Sequence, residues 1–185
     1  VALLAGCVQQ VLAPQINEAT IRLLNRHNIE VVVPKGIGCC GSLDHHLGKN
    51  DLARETFKKN ILIWYDEYLK NGLDAIISNT SGCGTTLKDY GFIFRWDDEL
   101  KKKAKKISEL TKDISEFLDE NIKLNFKVEK NSKKYNIAYH SACSMQHGQT
   151  VHKQPIDLLK KTGNKVLDIP DGHICCGSAG TYNIL

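Results

Sequence analysis

Cysteine is the residue type whose number and spacing in this chain point most clearly to chemistry. The 185-residue sequence contains seven cysteines, and two pairs are adjacent: Cys39 with Cys40, and Cys175 with Cys176. Adjacent cysteines rarely reach the geometry of a disulfide without strain, and seven thiols cannot all pair within one chain. The opening "VALLAGC" lacks the basic region of a secretory signal. Clustered cysteines in such a chain more often bind metal or act in catalysis than form disulfides.

The pattern around the cysteine pairs occurs twice. Cys7 precedes Cys39 by 32 positions, Cys143 precedes Cys175 by 32 positions, and both pairs continue as C-C-G-S. The flanking residues also match at the offset of 136, including Gln10 with Gln146, Leu23 with Leu159, Pro34 with Pro170, and Gly36 with Gly172. Matched Pro and Gly indicate a shared backbone path, because each constrains φ in its own way. The sequence therefore predicts an internal duplication.

The elements that position these cysteines are short apolar runs alternating with helical patterns. In the first unit we predict strands over 1–5, 29–33 and 73–78, and helices over 14–28 and 50–72. In the second unit we predict strands over 136–140 and 165–169, with a helix around 154–164 between them. This alternation is typical of an α/β fold, here with two duplicated parallel-sheet units and helical crossovers.

Each predicted strand of the first unit is followed by cysteine. Cys7, the pair Cys39 and Cys40, and Cys83 all follow the carboxyl ends of strands, which meet at one edge of a parallel sheet. We therefore expect these four thiols to converge on a metal site. The second unit repeats the layout with an incomplete set, and its matching fourth cysteine would lie beyond residue 185. Its three candidate ligands are Cys143, Cys175 and Cys176.

Four thiolates suit either an iron–sulfur cluster or zinc. Structural zinc sites usually contain paired C-x2-C segments, and this chain has none. Side chains of neighbouring residues diverge, so Cys39 and Cys40 could reach different irons of one cluster. The backbone amide of Gly41 could then help to set the cluster's reduction potential. The pattern favours iron–sulfur and leaves zinc open.

Domain organisation follows from the repeat. We predict a first unit over 1–126 that ends in an amphipathic helix, a polar linker over 127–134, and a truncated second unit over 135–185. That helix is predicted over 97–121, where apolar residues recur at three- and four-residue steps from Leu100 to Phe117. Because the chain begins with valine and ends just after a motif, we expect it to be a fragment of a longer protein.

The chain has a small positive charge that does not indicate nucleic-acid binding. The net charge is +4, and much of the excess lies in a lysine-rich stretch over 101–134. A nucleic-acid site would contain arginine and interleaved aromatic residues, and this stretch contains only Phe117 and Phe126 as aromatics. We expect a solvated helix face and linker there. The sequence also contains no apolar run of 18 residues that could span a membrane.

Several segments together resemble the cysteine-rich CCG domain family. These are "LLAGCVQ", "GIGCCGSLDHHLG", "SGCGTTLKDYG", "YHSACSMQHGQ" and "CCGSAGTYNIL". The resemblance covers essentially the whole chain, and it is strongest to the iron–sulfur subunits of glycolate oxidase. It implies a role in electron transfer, from a flavoprotein (FAD) subunit that oxidises glycolate to glyoxylate towards quinone. It also implies a cytoplasmic location, peripheral on the inner face of the membrane through the complex. Lactate and glycerol-3-phosphate dehydrogenase systems contain the same family and stay open as alternatives, as does a zinc-stabilised assembly module.

One departure from the family pattern bears on the type of cluster. Each family unit ends in C-x2-C, whereas here Thr80 occupies the first of those positions and Cys83 the second. The non-cubane clusters of related disulfide reductases use five cysteines per unit, and four remain here. The resemblance therefore implies an ordinary [4Fe–4S] cluster bound by four thiolates, with Thr80 capping its loop or lying near a sulfide.

Overall fold

A computed structural model of the chain describes residues 1–124, 133–175 and 177. The chain divides into two compact units, Val1–Ile114 and Ser115–Leu185. Both contain helices and parallel strands, which confirms the predicted α/β class. The predicted linker over 127–134 lies mostly outside the described residues, so the domain boundaries stay a prediction. Within the described ranges, we find no helix with the length and apolar character needed to cross a bilayer.

The first unit consists of short strands joined by helices. Its strands are β1 (Ala2–Leu3), β2 (Ile76–Ser78) and β3 (Thr111–Asp113). Its helices are α1 (Gln9–Leu12), α2 (Pro14–Arg26), α3 (Ser42–His46), α4 (Asn50–Asn71), α5 (Ser81–Ile93) and α6 (Lys101–Leu110). Pro14 is the first residue of α2, where its missing N–H is not needed and its fixed φ suits a helix. Gly72 ends α4 at a φ of +71°.

The strand order of the sheet creates a crevice at its carboxyl edge. β2 pairs in parallel with β1 on one side and with β3 on the other. On the opposite side of β1, Ala2 forms a parallel bridge with Val32. Across the sheet the order is therefore Val32, β1, β2, β3. The chain first passes from β1 to Val32 on one side and then returns to β2 on the other side of β1. Ligand sites of open α/β sheets lie at such switch points.

The second predicted strand is shorter than expected. Of the segment over 29–33, only Val32 forms a bridge with the sheet: its N–H donates to the Val1 carbonyl and its carbonyl accepts from Leu3, both at 2.9 Å. Pro34 follows directly and has no N–H with which to continue a ladder. Val33 is 47% exposed, which suits the end of an edge strand.

The prediction of one continuous amphipathic helix over 97–121 was wrong. The structure contains helix α6, then the extended residues of β3, then helix α7 (Ile114–Asn121). Thr111 has an extended backbone, and the register pairs it with Ile76 and Asp113 with Ser78. Apolar spacing reports which residues are buried, and it continues across a short edge strand without a break. The backbone partners offered by β2 decide the conformation here.

The core of the first unit is formed by β1, β2, α4, α5 and α6. Helix α4 contributes a buried stripe at three- and four-residue steps: Ala53, Phe57, Asn60, Ile61 and Trp64. Burial of the large side chains Phe57, Ile61 and Trp64 contributes roughly 1.5–3 kcal/mol each relative to exposure. Asn60 is the polar member of this stripe, and it is only 1% exposed.

The second unit contains a two-stranded parallel sheet. Its elements are α7, β4 (Asn136–Ala138), a π-helical turn (Ser144–Gly148), α8 (Lys153–Lys161) and β5 (Lys165–Leu167). An ion pair at 3.0 Å joins Lys161 of α8 to Asp119 of α7. The predicted strands and crossover helix of this unit are therefore present in the described residues.

The two units share the order strand, short helical turn, helix, parallel strand. Under the offset of 136, α1 corresponds to the π-helical turn and α2 to α8. Pairing differs by one residue: Ala2 pairs with Val32, but the corresponding Ala138 pairs with Leu167 rather than Asp168. The duplication is thus visible in the element order, with a one-residue shift in one strand. Superposition of residues 1–42 on 137–178, with right-handed crossovers, stays a prediction.

Candidate metal centre

The structure brings the four cysteines of the first unit together. The Sγ atoms of Cys7 and Cys39 are 3.6 Å apart, and those of Cys40 and Cys83 are 3.0 Å apart. Cys39 and Cys40 also contact each other through their side chains. All four line a cavity of about 350 Å³ whose remaining lining includes Val8, Ala13, Ile16 and Leu43. The predicted convergence is present, and metal binding by these thiols stays a prediction.

Three local elements position the four cysteines. Cys7 follows β1 in an exposed loop, and the adjacent pair directly precedes α3, with Cys40 only 3% exposed. Cys83 lies in the first turn of α5, two residues after Ser81 begins that helix. The site therefore uses the carboxyl ends of β1 and β2, on either side of the switch point in the sheet.

Gly41 allows the tight turn after the cysteine pair. Its φ is +80°, a conformation that side chains other than glycine rarely adopt. An added Cβ would lie 2.6 Å from Cε1 of Phe57. The Gly41 N–H donates to Sγ of Cys39 at 3.3 Å. The amide thus points at a candidate ligand sulfur.

The four thiols shift one another's pKa because they lie so close. The hydrogen bond with Cys40 raises the pKa of Cys39, and burial raises the pKa of Cys7. The hydrogen bond with Cys39 lowers the pKa of Cys40, but contact with Cys83 and burial outweigh it and raise that pKa to about 12. The hydrogen bond from Cys40 lowers the pKa of Cys83. Four thiolates this close would repel one another, so complete deprotonation requires a bound cation.

The donor set fits a soft metal centre, provided that the thiols move apart. Thiolates bound to one tetrahedral metal at ~2.3 Å lie about 3.8 Å from each other. The sulfurs of Cys40 and Cys83 are closer, at 3.0 Å. Accordingly, no three His, Cys, Asp or Glu side chains within residues 1–124, 133–175 and 177 are already spaced to hold an ion. The adjoining cavity provides the room for separation. Four cysteines match the ligand number of [4Fe–4S] clusters and of structural zinc.

The second unit reproduces part of this arrangement. The thiols of Cys143 and Cys175 contact each other. The Gly177 N–H donates to Sγ of Cys175 at 3.4 Å, and Gly177 has a φ of +80°, as Gly41 has. The hydrogen bond from the Gly177 amide lowers the pKa of Cys175, and the hydrogen bond with Cys143 lowers it further. Cys176 lies outside the described residues, so the predicted triad is described for two of its three members.

Comparison with known proteins identifies the family. The profile of the CCG cysteine-rich domain matches residues 1–88 and 137–184. The two matched segments include all seven cysteines and correspond to the two units of the repeat. The chain belongs to the CCG family.

Curated relatives of this CCG protein include proteins named for iron–sulfur function. It is 36% identical over 182 residues to the glycolate oxidase iron–sulfur subunit of Escherichia coli (strain K12), covering 98% of this chain and 44% of that protein. The probable glycolate oxidase iron–sulfur subunit of Bacillus subtilis (strain 168) is 30% identical over 188 residues, covering 100% and 41%. Lactate utilization protein A of Geobacillus sp. (strain WCH70) is 28% identical over 185 residues, covering 100% and 74%. The chain thus spans less than half of the two glycolate oxidase relatives.

A hydrogen-bonded network joins the loops of this CCG unit beside the cavity. Thr80 donates through Oγ1 to Oε1 of Gln9 at 2.6 Å. The Gln9 amide donates to the side-chain oxygens of Asn17 and Asn79, both at 2.7 Å. Asn17 donates in turn to the carbonyl of Ala5 at 2.8 Å. Thr80, where the CCG pattern has cysteine, therefore ties the loop before Cys83 to the loop that contains Cys7.

We expect Gln9→Met to destabilise the first unit by roughly 1–3 kcal/mol. The substitution preserves the length of the side chain but leaves Thr80, Asn17 and Asn79 without their shared partner in a part-buried site. Gln10→Met is the matched control, because Gln10 is exposed and donates only to the Gly6 carbonyl among the bonds described. Urea unfolding of both variants measures the difference. Equal losses of stability would contradict a structural role for the network.

Sequence reasoning missed the polar side chains that support the cysteine loops. Asn60 and Tyr90 lie in the core and contact the backbone carbonyls of Cys39 and Cys40. The available signal was an asparagine within the apolar stripe of α4, at a position where the helical period predicts burial. Such a residue indicates a buried backbone partner, but the sequence does not say which one.

Proposed function

We propose that this chain is the iron–sulfur electron-transfer part of an oxidoreductase complex, and that the complex is a glycolate dehydrogenase. The observation that supports it most strongly is the convergence of Cys7, Cys39, Cys40 and Cys83 at the carboxyl edge of the sheet. Membership of the CCG family and the printed names of the relatives agree with it. We prefer an iron–sulfur cluster to zinc because Cys39 and Cys40 are adjacent and the sequence contains no C-x2-C segment of the kind that structural zinc sites use.

In the proposed complex this chain performs no chemistry on the carbon atoms of the substrate. Glycolate would give two electrons and two protons to the FAD of a flavoprotein partner, forming glyoxylate. The electrons would leave one at a time through this chain, and two of them with two protons would convert quinone to quinol. A [4Fe–4S] cluster, held by the four thiolates, would supply the one-electron chemistry. The exposure of Cys7 leaves this site close to the protein surface, as exchange with a partner requires.

We also propose that the complex is peripheral on the cytoplasmic face of the membrane, where a quinone acceptor is accessible. The proposal rests on the family resemblance. Fractionation of cells that express the intact complex tests it, and release of the chain from membranes by high salt is the expected result. A chain found entirely in the unsedimented fraction at low salt would contradict the location.

A lactate-oxidising complex is the second candidate. It is favoured by the relative named lactate utilization protein A, of which this chain covers 74%. The electron-transfer role of this chain would be the same in both complexes. The candidates therefore differ only in the flavoprotein that delivers the electrons.

Anaerobic reduction by the flavoprotein partner tests the function. The intact protein is mixed with the purified flavoprotein from the same genome, and glycolate, lactate or glycerol 3-phosphate is added separately. We expect glycolate to bleach the visible absorbance of the iron–sulfur chain within seconds, with the other two substrates inactive. Bleaching by lactate alone would transfer the assignment to the second candidate. Bleaching by dithionite but by none of the substrates would contradict both.

A further inference from the structure

Two buried side chains hold the backbone of the cysteine pair. Asn60 Nδ2 donates to the carbonyl of Cys39 at 2.8 Å, and the Tyr90 hydroxyl donates to the carbonyl of Cys40 at 2.8 Å. Asn60 Nδ2 also donates to the Tyr90 hydroxyl at 3.1 Å. Asn60 is 1% exposed and Tyr90 is fully buried. The two side chains therefore form one connected clamp on neighbouring carbonyls.

The donor directions within this clamp are fixed. Both hydrogens of the Asn60 amide are used, one on the Cys39 carbonyl and one on the Tyr90 oxygen. The single hydroxyl hydrogen of Tyr90 then remains for the carbonyl of Cys40. Reversing the Asn60 amide would place its oxygen against the Cys39 carbonyl, so the orientation is determined by chemistry.

The peptide unit bound by Tyr90 also contacts a candidate ligand. It consists of the Cys40 carbonyl and the Gly41 N–H, and that N–H donates to Sγ of Cys39 at 3.3 Å. One end of this peptide is thus held by a tyrosine and the other end points at sulfur. Because a peptide unit is planar and rigid, fixing its carbonyl also fixes the direction of its N–H.

The two clamp residues come from elements that already border the site. Asn60 lies in α4 beside Phe57, whose ring is 4.7 Å from that of Tyr90. Tyr90 lies in α5, two turns after Cys83 on the same helix. The helix that presents Cys83 therefore also fixes the loop of the adjacent cysteine pair.

We propose that Asn60 and Tyr90 are positioning residues that aim the Gly41 N–H at the Cys39 sulfur and so raise the reduction potential of the bound cluster. The proposal rests on the iron–sulfur function proposed above. A hydrogen bond to a ligand sulfur stabilises the more negative, reduced form, and such bonds are among the factors that set cluster potentials. Partners behind the ligands also orient them and strengthen metal binding.

Tyr90→Phe is the decisive variant because it removes one hydroxyl and keeps the ring. We expect the midpoint potential of the intact, anaerobically purified protein to become more negative. Iron loss to a chelator should also become faster, because removing a partner behind a metal ligand weakens metal affinity, typically by roughly 10- to 100-fold. Tyr65→Phe is the control, since it removes a hydroxyl from α4 outside the clamp and should change neither quantity. Asn60→Leu should shift the potential in the same direction, and it provides the test if Tyr90→Phe does not fold.

Ile61→Val is the control for a general loss of stability, because it removes one methylene group from the core at a residue outside the clamp. A Tyr90→Phe potential equal to that of the unchanged protein overturns the inference whatever the chelator rate, because packing alone would then explain the tyrosine. An Ile61→Val potential shifted as far as that of Tyr90→Phe also overturns it. If the unchanged protein contains no iron and sulfide, the proposed function fails first and the inference fails with it. Iron and sulfide in the unchanged protein, without an effect of Tyr90→Phe, overturn the inference alone.

Discussion

Replacing Cys40 with serine is expected to remove most of the bound iron from the first unit. Cys40 Sγ lies 3.0 Å from that of Cys83 and lines the cavity with the other three thiols. A hydroxyl is a much harder and poorer ligand for iron in a cluster than a thiolate. Loss of a direct ligand should weaken binding by more than the ~100-fold that loss of a partner behind a ligand can cause.

The experiment is sharpest in a background that contains Cys143→Ser, so that the iron counted belongs to the first unit. Iron, acid-labile sulfide and visible absorbance are measured after anaerobic purification. Ser42→Ala is the matched control, because it changes a buried side chain two residues after Cys40, at the start of α3, but removes no sulfur. A Cys40→Ser variant with undiminished iron would show that Cys40 is a buried structural thiol, since free cysteines are common in cores.

Gly41→Ala is expected to destabilise the protein strongly, and more than Gly48→Ala. The φ of +80° costs an alanine roughly 1–2 kcal/mol. The new Cβ would also lie 2.6 Å and 2.9 Å from ring atoms of Phe57, which is itself fully buried. Overpacking of this kind costs roughly 1–3 kcal/mol. We therefore expect a total of about 3 kcal/mol in the free energy of unfolding.

Gly48→Ala separates the two contributions. Gly48 has a φ of +75° in the same unit, but nothing lies within 4 Å of its added Cβ. It should therefore lose only the conformational part, about 1–2 kcal/mol. Urea unfolding can be followed through Trp64, which is fully buried. Equal losses for the two variants would contradict the close approach of Phe57, and a partial recovery in Gly41→Ala with Phe57→Leu would support it.

The sequence was sufficient to predict the convergence of the cysteines, because two local patterns coincide. Short apolar runs predict parallel strands, and a cysteine follows each run, so the topology of the sheet brings Cys7, Cys39 and Cys83 to one edge. The matched Pro and Gly of the repeat predicted a shared backbone path. Gly41 and Gly177 agree with it, since both have a φ of +80°, but at the matched pair Gly36 and Gly172 only Gly36 has a positive φ. These features depend on local conformation and on rules of chain connection.

What could not be predicted depends on contacts between distant segments. β3 is extended because β2 lies beside it, although its apolar spacing continues that of α6. Gln9 and Thr80 are 71 positions apart in the chain, and Tyr90 is 50 positions from Cys40. A hydrogen bond between such residues leaves no periodic pattern in either segment. Only the tertiary structure shows that these polar side chains support the cysteine loops.

The most direct test of the iron–sulfur assignment is the metal and sulfide content of the anaerobically purified intact protein, measured together with its visible spectrum. We expect equal amounts of iron and acid-labile sulfide, about four of each per occupied site. We also expect broad visible absorbance that dithionite bleaches. A colourless protein that contains zinc, without sulfide, would contradict the iron–sulfur assignment and indicate a zinc-stabilised module instead.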